Sequence, residues 1–594
     1  QENRRMTSSS EVDERTLREI YLAAFEGAVK KEKPWTVMAS YNKINGVYAT
    51  ENKTYLTDVL RNEWGFDGLV MSDWGAVNDR VQGLKAGLDL EMPSSNGVND
   101  KLIVQAVLEG ELDEKVLDEA CERVLNMVYR YVENRDETAV FDREHDHEIA
   151  RKIVEECIVL LKNDGILPLK ETANIAFIGK YAKQPRYQGG GSSHINSYKI
   201  TSAMDMVEQM SNVVYAQGFD DQEDVIDEGL MNEAVEAAKN ADVAVVFAGL
   251  PDAFESEGYD RSHMRMPHCQ NALIEAICNV QSNVVVVLHN GSPVEMPWID
   301  KVKGVLECYL GGEAVGGAQV DILFGRVNPS AKLPETFPLQ LEDNPSYLYF
   351  GGEGDIAEYR EGVFVGYRYY DTKKMDVLFP FGHGLSYTDF VYSNLVVEKE
   401  QIKDTDTVSV RVDIQNVGKM KGKEVVQLYI APERGSIIRP VKELRAFEKI
   451  ELSPGESNTV SFTLDKRDFA YWNTKLHDWH VETGKYKILI GKSSRDIQVE
   501  AEIVVESTVR VPRTYTMNST IGDILDDVEK APIIKGFMDN LRPQYDGERE
   551  EQVESLGMSN EMLEAMMRSL PLRGLVNFGI PIEVFTQLLE ELNK

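Results

Sequence analysis

Hydrophobic and polar positions change period several times along the chain, and each change marks a boundary. Within Glu14–Lys31 the residues Leu17, Ile20, Tyr21, Ala24, Phe25 and Val29 recur at helical spacing, behind a cap-like Ser10-x-x-Asp13. The pattern then predicts a strand at Trp35–Tyr41, a helix near Asn52–Asn62 and a strand at Gly68–Asp73. A further helix and a short strand at Leu88–Glu91 follow. Strands alternating with helices build a parallel sheet from βα units. Only about three such units fit into residues 1–135, whereas a closed (β/α)8 barrel takes about 250 residues. The expected domain is therefore the C-terminal portion of a TIM barrel.

Residues 150–385 repeat the alternation with apolar runs at Ile175–Gly179, Val213–Ala216, Val243–Leu250, Val284–His289 and Val305–Leu310. Runs rich in Val and Ile on both faces belong to buried parallel strands, and helical stretches at Met231–Lys239 and Cys269–Asn279 complete an α/β sandwich. Over 386–505 the period falls to two, in Val408–Gln415, Glu424–Ile430, Thr459–Leu464 and Lys485–Gly491, with turns at Asn416-Val417-Gly418 and Ser453-Pro454-Gly455. That pattern predicts an immunoglobulin-like β-sandwich. Residues 515–594 turn helical, with Met558, Met562, Met566 and Met567 beside Leu556, Leu563 and Leu570. A methionine stripe of that spacing reads as packing, hence a helical appendage that docks on the body or on a second subunit, which leaves a homo-oligomer open. The expected whole is multidomain, α/β plus β.

Composition narrows the partners. A net charge of −35 over 594 residues argues against nucleic acid and anionic membranes, and no apolar run approaches the roughly 20 residues of a membrane span. A small neutral substrate suits the charge. Cys121, Cys157, Cys269, Cys278 and Cys308 show neither metal spacing nor a disulfide framework. Reduced core thiols in a cytoplasmic-type protein are expected. No G-x-G-x-x-G or P-loop follows the first sandwich strand, where Gly179-Lys180 leads elsewhere and Gly189-Gly190-Gly191-Ser192-Ser193 lies in a separate loop. Nucleotide binding is disfavoured.

The candidate chemistry is carboxylate. In GLVMSDWGAVNDR (68–80) an apolar run ends at Asp73, which by itself reads first as a helix cap. At the C-terminal end of a barrel strand, however, it stands where such folds keep their chemistry. Tyr41, ending the preceding strand, can donate to it, and the Trp74 indole offers a face for a sugar ring. Glycoside cleavage needs a second carboxyl as proton donor. The loop PDAFESEGYDR (251–261) crowds Glu255, Glu257 and Asp260 beside Arg261, a setting expected to raise one carboxyl's pKa while the arginine offsets another.

The stretches RRMTSSSEVDERTLREIYLAAFEGAVK, SYNKING, GFDGLVMSDWGAV, AGLDLEMP, LLKNDGILPL, ESEGYDR, PWIDKVKGVLECYLGG, VNPSAKLPETFP and LFPFGHGLSYTDF occur in one order. Together they resemble glycoside hydrolase family 3 β-glucosidases over residues 1–505, with a fibronectin type III-like domain at the end of that span. The resemblance implies Asp73 as nucleophile, Glu257 as acid/base and Tyr41 as the nucleophile's support. It also implies sugar contacts from Arg5, Trp74 and Ser192 of the Gly189–Ser193 loop, with retention of configuration and no cofactor. Because the two carboxyls sit on different domains, loss of docking should cost activity before folding. The barrel half that precedes RRMTSSS in the family does not precede Gln1, so the isolated chain is expected to be poorly soluble and nearly inactive. Competing expectations are a β-xylosidase-like glycosidase of the same family and a non-catalytic carbohydrate-binding fragment.

Overall fold

Val243–Gly249 and Val284–His289 are buried at every position, as runs apolar on both faces must be inside an α/β layer. In the computed structural model, which describes residues 1–433, 435–541 and 559–594, they are central strands of a six-stranded sheet. Its order is Val159–Asn163, Gly304–Glu307, Val284–His289, Val243–Gly249, Ile175–Ile178, Val213–Ala216. All neighbours are parallel except Val159–Asn163, which runs antiparallel to Gly304–Glu307 and was not among the expected strands. The helix Glu228–Lys239 extends the predicted Met231–Lys239 at its start, and His268–Cys278 lies one residue ahead of the predicted Cys269–Asn279. After the first predicted strand, Gly179 has φ +113° and leads into the single turn Lys180–Ala182. Among the described residues no long helix presents its N-terminus there.

In the first domain Thr36–Ala39 pairs in parallel with Leu69–Ser72, and Leu90 bridges Met71 in place of the predicted strand Leu88–Glu91. Val29, Leu56, Leu60, Trp64, Phe66, Val70 and Leu88 pack between these strands and the surrounding helices. Helix spans two and three turns long occur where expected, but their bonding widens to i→i+5 over Leu17–Tyr21, Ala28–Glu32 and Thr54–Glu63. The cap of the first helix is Asp13, which accepts from Thr16 N–H. Ser10 is instead inside a strand, Ser9–Glu11.

That strand joins two domains. Ser9–Glu11 lies between Ile356–Glu358 of the second domain and Lys43–Ile44 of the first, parallel to both. Lys43–Ile44 then turns back as Val47–Tyr48. The turn residues Asn45 and Gly46 have φ 50° and 85°, the left-handed pair that a tight hairpin requires and that Asn-Gly supplies.

The third domain packs a three-stranded sheet (Phe390–Val397, Val408–Asn416, Ser457–Leu464) on a five-stranded one holding Gly422–Pro432, Glu443–Leu452, Gly484–Gly491 and Ile497–Glu506. Val408, Val410, Val412 and Ile414 point into its core, one residue in two. Buried Glu443 ties it to the second domain by facing Arg368 as well as Arg439 and Arg445.

The chain divides into two compact units, 1–508 and 509–594. The smaller unit gathers Ile521–Leu525, Ala531–Leu541 and Ile582–Leu592 around Ile534, Leu572, Phe585 and Leu588. Its methionine stripe is split: Met567 and Leu570 pack on that core, whereas Met562 and Met566 are 52 % and 51 % exposed. Met558 and Leu556 lie outside the described residues. The cysteine reading also needs correction. All five thiols are free, but Cys121, on the helix Glu114–Asn134, and Cys157, in the turn after Arg143–Glu155, are exposed. No helix among the described residues is long and apolar enough to cross a membrane.

Candidate active site

The strand Leu69–Ser72 delivers Asp73 to its C-terminal end, where Asp73 N–H still donates to Ala39 O (3.0 Å). Asp73 caps no helix. The next helix, Arg80–Ala86, is capped by Asp79, which accepts from Gln82 N–H, so the Asp73 carboxylate is left for other work. Its Oδ1 accepts from the Tyr41 hydroxyl at 2.8 Å and from Trp74 N–H at 2.6 Å. Tyr41 lies two residues beyond Thr36–Ala39, and partial burial, then the Asp73 carboxylate, push its pKa up. It remains a proton donor. The Trp74 indole is 57 % exposed at the same mouth. Gly75 N–H on Met92 O (2.9 Å) and Met92 N–H on Ser72 Oγ (2.8 Å) fix the turn beneath it.

The second carboxylate arrives from the loop after Val243–Gly249. Glu257 Oε2 accepts from Ser192 N–H at 2.5 Å, and Glu257 Oε1 lies 3.0 Å from Arg5 Nη2. Ser192 and then Arg5 hold its pKa down to about 2. This reverses the expected effect of crowding. The acids of the loop face different partners, and Arg261 turns away to Ser292 Oγ (2.7 Å) and Pro293 O (3.0 Å). The offsetting cations are Arg5 for Glu257 and Arg186 for Glu255. The glycine run beside Ser192 is explained by contact. A Cβ on Gly190 would stand 2.5 Å from Ser256 Oγ, and one on Gly191, at φ +91°, would stand 2.5 Å from Glu257 Cβ.

Arg5 connects the two halves. Its guanidinium lies 5.0 Å over the Tyr41 ring, within cation–π reach, while contacting Glu257. A continuous path therefore runs Asp73, Tyr41, Arg5, Glu257, Ser192, and every residue expected at the site is on it except Trp74, which joins through its backbone. Sequence reasoning missed the latch that holds Arg5 in place. Glu2 and Asn3 N–H groups donate to the Asp260 carboxylate (2.7 and 2.9 Å), and Glu2 Oε2 accepts from Arg5 Nη1 (2.8 Å) and Gly258 N–H (3.0 Å). The pairing of an acid at position 2 with an arginine three residues on was its only sequence trace.

Residues 2–127 match the Glycosyl hydrolase family 3 N terminal domain, 158–387 the Glycosyl hydrolase family 3 C-terminal domain and 424–494 a Fibronectin type III-like domain. The chain belongs to glycoside hydrolase family 3. It is 53 % identical to the thermostable β-glucosidase B of Acetivibrio thermocellus over 605 aligned residues, covering 100 % of this chain and 79 % of that protein. An exo-α-(1→6)-L-arabinopyranosidase of Bifidobacterium longum is 44 % identical over 552 residues, 90 % of this chain and 72 % of its own length. Among solved structures, the family 3 β-glucosidase of Bifidobacterium adolescentis superposes with a TM-score of 0.85 at 43 % identity, covering 90 % of this chain and 79 % of that one. The barrel-like domain, the α/β sandwich and the fibronectin-like domain follow one another along this chain, and the candidate site lies where the first two meet.

Proposed function

We propose that this family 3 glycoside hydrolase is a retaining, exo-acting β-glucosidase in which Asp73 is the nucleophile and Glu257 the acid/base. The observation that carries the reading is the path from Asp73 through Tyr41 and Arg5 to Glu257, which brings carboxylates from two domains to one mouth. Asp73 attacks the anomeric carbon while Glu257 gives its proton to the departing oxygen. The resulting glycosyl ester on Asp73 is then hydrolysed by water that Glu257, now a carboxylate, deprotonates. Tyr41 and Trp74 N–H stabilise the Asp73 carboxylate before attack and again as it leaves. Retention requires the two carboxyls to close to about 5–5.5 Å around the sugar, and the Arg5–Glu257 contact must open to admit the glycosidic oxygen.

The test is trapping with a slow-releasing 2-deoxy-2-fluoroglucoside and mapping of the adduct by peptide mass spectrometry. A label on the peptide containing Asp73 supports the assignment, and a label elsewhere removes it. A second reading, a pentopyranosidase, is favoured by the arabinopyranosidase relative. Comparison of kcat/KM on aryl β-D-glucoside, β-D-xyloside and α-L-arabinopyranoside separates the two.

A further inference from the structure

Two residues before Glu257, a second glutamate is locked rather than free. Glu255 Oε2 accepts from Arg186 Nη1 (2.7 Å) and Gly291 N–H (2.7 Å), and its Oε1 accepts from the Ser292 hydroxyl. Arg186 Nη2 adds a bond to the Glu255 carbonyl oxygen (2.8 Å), so one guanidinium grips both side chain and backbone. Arg186 is buried, and Glu255 is largely so. Burial alone would raise the Glu255 pKa, but the bonds from Ser292, Arg186 and Gly291 outweigh it and keep the carboxylate below its usual range.

The grip is anchored in the sheet. Gly291 and Ser292 follow the strand Val284–His289 after Asn290, next to the strand that launches the loop. The Arg186 carbonyl accepts from His289 Nδ1 (3.1 Å), which leaves His289 Nε2 to accept from Gln319 (2.9 Å). Burial drops the His289 pKa to about 4, so the ring stays neutral in this arrangement at ordinary pH. Ser292 is bonded from its other side by Arg261 of the loop itself. The loop is thus pinned at 255 and at 261, with the half-buried Glu257 carboxylate between the pins.

We propose that Glu255, held by Arg186 and Ser292, is a positioning residue that sets the reach of the Glu257 carboxyl toward the glycosidic oxygen. This rests on Glu257 being the acid/base. A displacement of about 1 Å in a reacting group can cost about 10²-fold, so the anchor is felt only in the step that needs the proton.

The test uses the full chain and kcat/KM, which reports formation of the glycosyl-enzyme, on 2,4-dinitrophenyl and 4-methoxyphenyl β-glucosides. For Glu255→Gln a loss of about 10²-fold is expected on the poor leaving group and almost none on the dinitrophenyl substrate. Added azide should neither raise kcat on the dinitrophenyl substrate nor yield a glucosyl azide. Glu257→Ala is the control, with the same leaving-group dependence in kcat/KM but with azide raising kcat on the dinitrophenyl substrate and yielding the glucosyl azide. Ser292→Ala, which deletes one bond, should show a smaller loss of the same kind and serves if Glu255→Gln does not fold. Equal losses on both substrates, or no loss, would overturn the proposal. Azide rescue of Glu255→Ala would make Glu255 the acid/base and overturn both assignments. A Glu257→Ala variant without leaving-group dependence would remove the acid/base assignment first, and the proposal with it.

Discussion

Replacing Tyr41 by Phe removes one hydroxyl from the nucleophile and leaves the rest of the path standing. The Phe ring still sits under Arg5, and Trp74 N–H still donates to Asp73 Oδ1. What disappears is the 2.8 Å bond from the phenol. A hydrogen bond to a charged group contributes about 1.5–3 kcal/mol. Tyr41 is only partly buried, so water can replace it in part, and the lower end applies. At 1.36 kcal/mol per tenfold, a loss of about 1.5 kcal/mol is roughly tenfold in rate. The loss should fall more heavily on the second half-reaction, since the phenol stabilises Asp73 as it departs from the sugar. Pre-steady-state release of dinitrophenolate should therefore show a larger burst relative to turnover in Tyr41→Phe, with kcat down about tenfold and kcat/KM down less. If kcat is unchanged, or the burst shrinks, the Tyr41 hydroxyl does not act on Asp73.

Other outcomes follow from the same geometry. In the sugar-free site Glu257 titrates at about 2, and a sugar that displaces Arg5 and Ser192 raises that value. Binding of a glucose-like inhibitor should then take up protons at pH values between the two, and weaken as pH rises through the bound-state value. Calorimetry in two buffers of different ionisation enthalpy near pH 5 measures this, and zero net uptake refutes it. Gly191→Ala should push Glu257 out of place and add about 1–3 kcal/mol of local backbone strain. Poor leaving groups should lose more than activated ones, while circular dichroism stays native. Glu443 is pulled down to about 2 by Arg445, Arg368 and Arg439 against the upward push of burial. Its contribution to stability is present above the unfolded value of about 4.3 and is lost as pH falls through about 2. Glu443→Gln should cost about 3–5 kcal/mol, read as a lower thermal midpoint that loses part of its dependence on pH between 5 and 3.

Much of this was legible in the chain because the relevant signals are local. Val243–Gly249 and Val284–His289 announce themselves by composition, and Asp73 follows an apolar run whose length fixes where the strand stops. Tyr41, Asp73, Glu257 and Ser192 each sit in a short motif. The parts that escaped depend on partners far off in the sequence. Ser9–Glu11 is three residues long, too short for a period, and is a strand only because Ile356–Glu358 and Lys43–Ile44 flank it. Arg186 carries no motif, and its role exists only through Glu255. The Glu257 environment escapes the sequence because crowding along the chain is not crowding in space: its neighbours are a cation and a backbone N–H.

The parallel seating of Ser9–Glu11 against Ile356–Glu358 bears on the order of events in folding. The cores of the first three domains can each collapse from contacts within their own stretch of chain. The mouth of the site cannot, because Glu2 reaches Asp260 and Ser9 reaches Ile356 only after the intervening chain has been ordered. Closing such distant ends is slow relative to local packing. Catalytic competence should thus be the last property to appear on refolding and the first to go on dilution into mild denaturant, with the sheet of the second domain still intact.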